Sequence, residues 1–575
     1  MTDGAIRIAG ASVRYPGRRE ASLSDVDLVV GPGERVGVTG RTGAGKSTLA
    51  FLAGGFIPRV VRATVTGEAT IDDVPATTTD PAALLGRVGI VFSTPANQLS
   101  ASKQTVREEL AFGLENLGIE RAEMDARIGA ILDRLGIAHL ADREPFALSG
   151  GEQQRVAIAS IVAMGTRVLV LDEPTAQLDP AGTADVGGLL DELAREGAAI
   201  LCVEHDPTIL GRMDRVALLD AGRLVGVDRP GITLGSTMAG SVGLPSPTMV
   251  RLAEAAGVDA GSAFDVDAVV DGLRARPAPG GMAGQAATED EAVTMSSWSS
   301  VRERPTVRLE VDGVAHRYPS GVEAVRKVSL RFEPGQAVAI LGQNGSGKTT
   351  LVKHLNGLLR PDAGEVRIDG RSTAGDRVDQ LAATVGFVFQ NPDDQLFERS
   401  VEREVGFGPR NLGFDAGLID RLVEMAMSAT GLTEDRTTNP YDLDLSRRKL
   451  VALASVLAMD PAILVLDEPT TGQDPEGIGR IGTVARAWRD AGRTLLAITH
   501  DMEFAAANFD RVVVMRSGEI IADGRPDDVL TARNVELLAS TGLRPPPAAL
   551  VAAALGLPGV PADAGALVAA LRVAG

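Results

Sequence analysis

Cysteine is almost absent from this chain, since Cys202 is the only one among 575 residues. A single cysteine cannot form an internal disulfide or supply the several thiolates of a zinc cluster or an iron–sulfur centre. We therefore expect a reducing, cytoplasmic location. The formal net charge of −19 argues against a protein that coats nucleic acid, because such binding depends on Lys and Arg neutralising phosphates. No stretch reaches about 18 uninterrupted apolar residues, so we expect no membrane-spanning helix.

Lysine is also scarce, and two of the six lysines end the same glycine-rich phrase. Each phrase follows a short apolar run and precedes a helix-like stretch, which is the strand–loop–helix context of a phosphate-binding P-loop. Glycines let backbone N–H groups surround phosphate oxygens, the lysine neutralises the outer phosphates, and the next hydroxyl ligates Mg²⁺. The sequence thus predicts two ATP sites with Mg²⁺. The residues predicted to bind nucleotide are Gly40, Gly43, Gly45, Lys46, Ser47 and Thr48, and Gly342, Gly345, Gly347, Lys348, Thr349 and Thr350.

The two halves of the chain repeat with an offset of about 300 residues. The repeat extends beyond the P-loops, because a phrase with the letters LVLDEPT occurs in each half. The matching segments are 14–16 and 317–319, 89–93 and 386–390, 168–175 and 463–470, and 205–206 and 500–501. The sequence therefore predicts two α/β nucleotide-binding domains of the same kind.

Each half has an aspartate–glutamate pair at the end of an apolar run. The runs before Asp172 and Asp467 are too continuous for half-exposed strands, so they predict central strands buried on both faces. Carboxylates at such strand ends lie where open α/β sheets bind ligands. Asp172 and Asp467 are expected to hold Mg²⁺ through its water shell, and Glu173 and Glu468 to act as general bases.

A histidine follows a further predicted strand in each half. His205 comes after residues 199–203, and His500 comes after residues 494–498. A histidine at such a strand end can reach the γ-phosphate, and its recurrence in both halves favours that role over an ordinary polar strand end. We therefore count both histidines among the predicted catalytic residues.

Residues 148–155 read LSGGEQQR and precede a helix-like segment. With the phrases above, they make the chain resemble the ATP-binding-cassette (ABC) ATPases, and the resemblance covers nearly the whole chain. In that family the Ser-Gly-Gly loop binds the γ-phosphate of ATP held by the other cassette, and backbone donors at a positive helix end suit that task. The resemblance implies that the two cassettes pair within one chain. It further implies that Ser149, Gly150 and Gly151 bind the γ-phosphate and that Tyr15 and Tyr318 stack on adenine. By the same resemblance, Asp179 and Asp474 belong to the loops that connect the two ATP sites.

The expected fold is α/β, with two tandem P-loop ABC nucleotide-binding domains. Each domain is expected to have a helical subdomain and a small C-terminal helical appendix, because the tails of the two halves also correspond. Residues 277–306 are rich in Gly, Ala, Ser and acidic residues, which predicts a flexible linker. The predicted boundaries are 1–231 for the first ATPase domain, 232–276 for its appendix, 277–306 for the linker, 307–530 for the second ATPase domain and 531–575 for its appendix.

A narrower resemblance rests on residues 389–397, which read FQNPDDQLF, and on the phrases that follow them. These look like the ATPases of energy-coupling factor transporters, which import vitamins, their precursors or transition-metal ions. In that family Gln390 would contact metal and water. The resemblance implies a transmembrane coupling protein and a membrane substrate-capture protein as partners, attachment at the cytoplasmic face of the membrane, and no nucleic-acid partner.

Two departures from the family pattern predict unequal sites. Ser93 stands where the first half should have the loop glutamine, and the second half lacks Ser-Gly-Gly, reading LDLSRRKL over residues 443–450. The sequence leaves open whether Asp444 or Ser446 replaces the serine. Since the family shares each site between cassettes, both departures fall in the same composite site. We expect the other site to hydrolyse ATP and the altered one mainly to bind it, although neutral drift with two active sites remains an alternative.

Two other functions share these motifs. One is a soluble tandem ATPase that remodels ribosomes or nucleic acid, which the acidic charge and the lack of metal-binding cysteines disfavour. The other is a fused ATPase of another importer class, such as one for sugars. The glutamine-loop phrase at residues 389–397 favours the energy-coupling factor type.

Overall fold

The computed structural model describes residues 5–275, 307–557 and 564–574. The chain divides into two compact units, with the division between Leu273 and Arg274. The predicted linker at residues 277–306 lies outside the described residues.

The first unit contains two sheets. A four-stranded antiparallel sheet has the order β2-β1-β4-β5, and a six-stranded sheet has the order β10-β9-β3-β8-β7-β6. The second sheet is parallel except for its edge strand β10. The strands are β1 (Ile6–Arg14), β2 (Leu23–Val30), β3 (Arg35–Thr39), β4 (Thr64–Ile71), β5 (Val74–Pro75), β6 (Val88–Val91), β7 (Val168–Asp172), β8 (Ala199–Val203), β9 (Arg215–Asp220) and β10 (Arg223–Asp228).

Strand β7 is buried along its whole length, as the apolar run predicted. Leu169 and Leu171 face a core formed with the helices, whereas Val168 and Val170 face a core shared with the antiparallel sheet. Both faces of the parallel sheet are therefore covered, which explains the continuous apolar sequence.

The helices of the first unit include a group inserted between β6 and β7. Helices α3, α4 and α5 pack against one another around Leu110, Ile131 and Val156 and form the predicted helical subdomain. The helices are α1 (Lys46–Ala53), α2 (Pro81–Leu84), α3 (Val106–Asn116), α4 (Arg121–Arg134), α5 (Gly150–Ala163), α6 (Pro180–Arg195), α7 (Pro207–Leu210), α8 (Pro230–Leu234), α9 (Thr237–Ser241), α10 (Thr248–Ala256) and α11 (Val266–Ala275).

The second unit repeats both sheets. The antiparallel sheet has the order β12-β11-β14-β15, and the other sheet has the order β16-β17-β18-β13-β19-β20. Strand β17 is fully buried like β7. The strands are β11 (Leu309–Arg317), β12 (Glu323–Phe332), β13 (Ala337–Leu341), β14 (Ala363–Ile368), β15 (Arg371–Ser372), β16 (Val385–Val388), β17 (Ile463–Asp467), β18 (Thr494–Thr499), β19 (Arg511–Arg516) and β20 (Glu519–Gly524).

The helices of the second unit follow the same plan, with α14, α15 and α16 as the helical subdomain. Among the described residues, none of the helices is long and apolar enough to cross a membrane. The helices are α12 (Lys348–Leu355), α13 (Val378–Ala382), α14 (Val401–Asn411), α15 (Ala416–Thr430), α16 (Leu445–Leu457), α17 (Pro475–Asp490), α18 (Met502–Asn508), α19 (Pro526–Val529), α20 (Val535–Ala539), α21 (Pro547–Ala554) and α22 (Ala564–Ala574).

Each unit ends in short helices that match the predicted appendices. They are α8 to α11 in the first unit and α19 to α22 in the second. The turn before α10 in the first unit, and the turn before α21 in the second, each lie beside the P-loop of the same half. A Cβ on Gly243 would lie 3.5 Å from the Arg41 guanidinium, and one on Gly542 would lie 2.3 Å from Gln343 Oε1. The appendix of each half is thus packed onto its own nucleotide-binding loop.

Candidate nucleotide sites

Each P-loop joins a buried parallel strand to the first turn of a helix. β3 leads into α1 in the first half, and β13 leads into α12 in the second. The residues before these helices, Gly45 and Gly347, have φ angles of 102° and 99°. A Cβ would lie 2.4 Å from Ser22 O at Gly45 and 2.1 Å from Ala324 O at Gly347. Only glycine fits both the left-handed conformation and the close backbone approach.

The two P-loop lysines are buried and fold back across their loops. Lys46 Nζ donates to Gly40 O at 2.9 Å and to Arg41 O at 3.0 Å. Lys348 Nζ donates to Gly342 O at 2.6 Å and to Gln343 O at 2.9 Å. Both ammonium groups therefore lie at the mouth of a glycine loop next to a helix N-terminus, where a phosphate would meet positive charge.

A hydroxyl and a buried aspartate lie together in each half, as predicted. Ser47 Oγ donates to Asp172 Oδ1 at 3.2 Å, and Thr349 Oγ1 donates to Asp467 Oδ1 at 3.2 Å. Burial and the neighbouring glutamate raise the pKa of each aspartate to about 6. A buried carboxylate with a raised pKa is stabilised by a cation, and these oxygens are the ligands that Mg²⁺ prefers.

The described residues contain no group of three or more His, Cys, Asp or Glu side chains that could hold a metal ion by themselves. Mg²⁺ is usually held by one or two protein oxygens together with phosphate oxygens and water. The pairs Ser47–Asp172 and Thr349–Asp467 fit such an ion, which would arrive with the nucleotide.

In the second half, two of the predicted catalytic residues, Glu468 and His500, are in contact, and the P-loop lysine lies close to Glu468. His500 Nδ1 lies 2.9 Å from Glu468 Oε2, and Lys348 Nζ lies 3.9 Å from Glu468 Oε1. Burial acts to raise the pKa of Glu468, but the charges of His500 and Lys348 outweigh it and lower that pKa to about 2. Burial acts to lower the pKa of His500, but the Glu468 charge raises it above its usual value. Glu468 is therefore ionised at neutral pH beside a histidine that favours its protonated form.

The corresponding pair in the first half is farther apart, and its glutamate is more exposed to solvent. His205 Nε2 lies 3.5 Å from Glu173 Oε1, and the Glu173 side chain is 28% exposed, compared with 5% for Glu468. Both glutamates have left-handed backbone angles, with φ of 50° at Glu173 and 48° at Glu468. The two glutamates therefore share a left-handed backbone conformation, but the carboxylate of Glu468 is more buried and lies closer to its histidine than that of Glu173.

The predicted adenine-stacking tyrosines lie next to their P-loop helices. The Tyr15 hydroxyl is 3.2 Å from Thr48 Oγ1, and the Tyr318 hydroxyl is 3.1 Å from Thr350 Oγ1. Each tyrosine is thereby held beside the start of α1 or α12. Stacking on adenine remains a prediction.

The N-terminus of α16 resolves the alignment that the sequence left open. Ser149 is the N-cap of α5 and accepts a hydrogen bond from Glu152 N. Asp444 is the N-cap of α16 and accepts a hydrogen bond from Arg447 N. Asp444, rather than Ser446, therefore occupies the position of Ser149, and a carboxylate replaces a hydroxyl at this helix end.

Two facing positions of the second signature loop have exchanged large and small residues. Where the first half has a glycine facing a long side chain, the second half has a long side chain facing a glycine. At Gly150 a Cβ would lie 2.3 Å from Gln177 Oε1, so the long Gln177 side chain covers a glycine. In the second half the same positions are Leu445 and Gly472, and a Cβ on Gly472 would lie 3.1 Å from the Leu445 side chain. The second loop thus has a coherent packing of its own, in which Leu445 covers the glycine.

Each glutamine loop is anchored by a glutamine that the sequence reasoning missed. Gln98 accepts a hydrogen bond from Phe92 N and donates to Ala157 O, and Gln395 makes the same bonds with Phe389 N and Ala452 O. The glutamine found in both phrases, ANQL and DDQL, was the available signal.

These anchors confirm that Ser93 and Gln390 are equivalent, because each follows the anchored phenylalanine. Gln390 is exposed, and among the described residues no hydrogen bond joins it to Thr349 or Asp467. Its catalytic and metal-contacting roles remain predictions.

Asp179 and Asp474 have a local role in the structure. Asp179 caps α6 by accepting a hydrogen bond from Gly182 N, and Asp474 caps α17 by accepting one from Gly477 N. Their part in connecting two sites stays a prediction.

A buried acid beside His205 was not identified from the sequence. Glu204 accepts hydrogen bonds from Thr175 N at 3.0 Å and from His205 N at 2.9 Å. Burial raises its pKa to about 7 despite these bonds. Thr499 occupies the equivalent position before His500. At this position the first half therefore has a titratable carboxyl group where the second half has a threonine hydroxyl.

Comparison with known proteins confirms the family. The model of the family described as ABC transporter matches residues 23–176 and 325–471. A protein of Methanosarcina acetivorans named putative ABC transporter ATP-binding protein is 35% identical over 557 residues, or 95% of this chain and 89% of that protein. A protein with the same name from Lactiplantibacillus plantarum is 30% identical over 93% of this chain and 94% of its own length.

Among the solved structures similar to part of the chain is one from a transporter complex. It is cbiO1 from Clostridium perfringens, described as part of the ABC transporter complex cbiONQ, with 34% identity. The match covers 40% of this chain and 96% of that protein, with a TM-score of 0.37. The two family matches and the near full-length relatives confirm both cassettes, so this chain belongs to the ABC transporter family as a tandem ATP-binding-cassette ATPase.

Proposed function

We propose that the chain is the ATP-hydrolysing subunit of a membrane importer of the energy-coupling factor type. The observation that carries the ATPase part is the contact of Glu468 with both His500 and Lys348. It joins an ionised base to the phosphate-binding lysine and to a histidine that can hold a proton. The bound Mg²⁺ would supply charge neutralisation on the phosphates, while Thr349 and Asp467 orient it.

In this proposal Glu468 accepts a hydrogen bond from the attacking water and thereby aims its oxygen at the γ-phosphate. Its low pKa keeps it ionised for that task at neutral pH. His500 steadies the carboxylate and can contact the phosphate as charge develops. Burial of Glu468 limits competing water around the pair.

We further propose that the two cassettes pair and that their ATP sites differ. In the family arrangement, the site built on Lys348 would be closed by Ser149, Gly150 and Gly151. The site built on Lys46 would meet Asp444, whose carboxylate repels a γ-phosphate, and Leu445, which stands where the first half has Gly150. Hydrolysis is then expected at the first of these sites, and binding without efficient hydrolysis at the second.

An exposed aromatic patch on the second unit supports the proposal that the chain binds membrane proteins. It consists of Phe397, Phe407 and Tyr441: the rings of Phe397 and Phe407 are 4.6 Å apart at their centroids, and the Tyr441 hydroxyl donates to the carbonyl of Leu396, the residue before Phe397. Phe397 is 56% exposed and lies in the phrase that follows Gln390. Exposed apolar clusters of this kind are typical of protein interaction sites. We propose that this aromatic patch docks a transmembrane coupling protein, which in turn works with a substrate-capture protein.

The test is affinity purification of the tagged chain from detergent-solubilised native membranes, followed by mass spectrometry. We expect one coupling protein and one small substrate-capture membrane protein. The matched variant Phe397→Ser carries the residue that the first half has at this position, Ser100, and should lose the partners while ATP hydrolysis persists. Recovery of ribosomes or nucleic acid from the soluble fraction would instead favour a soluble remodelling ATPase, and recovery of a different membrane complex would favour another importer class.

A further inference from the structure

Lys449 is a buried lysine that the proposed mechanism does not use. It lies on α16, six residues after the start of the repacked signature loop at Leu443. The residue is 8% exposed, and its Nζ donates to Thr471 O at 2.7 Å and to Glu468 O at 3.2 Å. Burial lowers its pKa to about 8, which the charges of Glu468 and Asp467 oppose. The ammonium therefore bridges two backbone carbonyls in the turn that carries the catalytic base.

The backbone of this turn is strained at Glu468. Glu468 has a φ of 48°, in the left-handed region that residues with a side chain rarely adopt. Its N–H donates to Ile498 O at 3.0 Å, so one side of the residue is fixed to β18. Lys449 fixes the other side through the Glu468 carbonyl. A strained backbone persists when its surroundings over-determine it, and charge-assisted hydrogen bonds are the stronger kind.

Among the described residues of the first half, no lysine makes this bridge, although the turn has the same shape. Gln154 occupies the position of Lys449 and donates to Phe92 O at 3.4 Å. In both halves the turn also has its own bond, from Ala176 N to Glu173 O and from Thr471 N to Glu468 O. The lysine is thus an addition to the half in which the catalytic pair is buried and tight.

We propose that Lys449 is a positioning residue for Glu468, so that the altered signature helix serves the ATP site of its own half. This inference rests on the proposed function, in which Glu468 is the base. The helix lacks the Ser-Gly-Gly groups that, in the proposed pairing, would bind a phosphate on another cassette, and it carries an ammonium that holds the base of its own cassette.

The test compares Lys449→Gln, which carries the residue of the first half, with wild type in steady-state ATP hydrolysis. We expect kcat to fall about 10- to 100-fold, as for a small misplacement of a catalytic group, with KM for ATP and the melting temperature nearly unchanged. Lys449→Arg should recover part of kcat because a guanidinium can reach both carbonyls. The control is Arg448→Gln, which removes the neighbouring ion pair with Asp393 and should keep kcat.

A double variant separates positioning from a general structural role. If Lys449 acts through Glu468, then Lys449→Gln should cost nothing further in a Glu468→Gln background. Additive losses, or an unchanged kcat in Lys449→Gln when Glu468→Gln is inactive, would overturn the inference and leave the proposed function standing. Full turnover in Glu468→Gln would overturn both. If Lys449→Gln fails to fold, Lys449→Arg takes its place: a loss of kcat that disappears in the Glu468→Gln background supports the inference, and a loss by the same factor in both backgrounds overturns it.

Discussion

His500 Nδ1 lies 2.9 Å from Glu468 Oε2, at the ends of the neighbouring parallel strands β18 and β17. The pair shifts both groups toward their charged forms, because the pKa of Glu468 is lowered to about 2 and that of His500 is raised. Its stabilising effect is present above the ordinary glutamate pKa and is lost as the pH falls toward 2. On the alkaline side, it is lost as the pH rises through the raised pKa of His500.

We expect His500→Asn to lower kcat for ATP by on the order of 100-fold, because the base loses its partner and the phosphate loses a proton donor. KM should change little. The measurement is phosphate release at saturating ATP across the neutral to alkaline range. In wild type, kcat should fall as the pH rises through the pKa of His500, and this limb should vanish in the variant. The matched control His205→Asn should retain most turnover; an equal loss in both variants would contradict the expectation.

The reciprocal exchange at the signature loops predicts that the second loop can be restored. The combined variant Asp444→Ser, Leu445→Gly and Gly472→Gln gives the second half the residues of Ser149, Gly150 and Gln177. In a Glu468→Gln background, this variant should raise residual ATP turnover several-fold, because in the proposed pairing the site built on Lys46 would regain a phosphate-binding partner.

The single variant Leu445→Gly serves as the control for that experiment. It leaves Gly472 uncovered and keeps the Asp444 carboxylate, so we expect a lower melting temperature and no gain in turnover. If the single variant gains as much ATP turnover as the combined variant, the exchange of the three residues is not the cause of the gain.

Glu204 predicts a pH dependence of stability in the first unit. Its pKa is raised from an ordinary 4.5 to about 7 by burial. A raised carboxyl pKa means that the folded state holds the proton more tightly, so the stabilising contribution is complete below 4.5 and is lost as the pH rises to 7. The loss is on the order of 3 kcal/mol for the shift to about 7.

The variant Glu204→Thr, which carries the residue found at Thr499, should flatten this dependence. The measurement is the urea midpoint of unfolding at about pH 5 and about pH 8, since stability changes with pH wherever the two states bind different numbers of protons. A wild-type midpoint that does not fall between these two values would contradict the prediction.

The fold and the central site residues could be predicted because they depend on local sequence. The P-loop glycines, the buried runs before Asp172 and Asp467 and the histidines at strand ends each carry a pattern of their own. The comparisons confirm the two cassettes, and the geometry brings Lys348, Glu468 and His500 together as expected.

What the sequence could not predict depends on contacts between distant segments. Whether Asp444 or Ser446 corresponds to Ser149 could be decided only from the residue at which α16 begins. Without the two glycines, the sequence has no pattern that marks this helix N-terminus. The bond from Lys449 to Glu468 O joins a helix to a turn across the fold, and its lysine resembles any surface lysine in the sequence. The cover of Gly472 by Leu445 is likewise a property of packing.

The central claim is that hydrolysis depends on the base of the second half. The measurement is steady-state phosphate release by the purified full chain after Glu468→Gln and, separately, after Glu173→Gln. We predict that Glu468→Gln loses on the order of 10²- to 10⁴-fold in turnover while Glu173→Gln keeps most of it, with ATP still bound in both. Similar losses in the two variants would contradict the claim and show that both halves hydrolyse ATP.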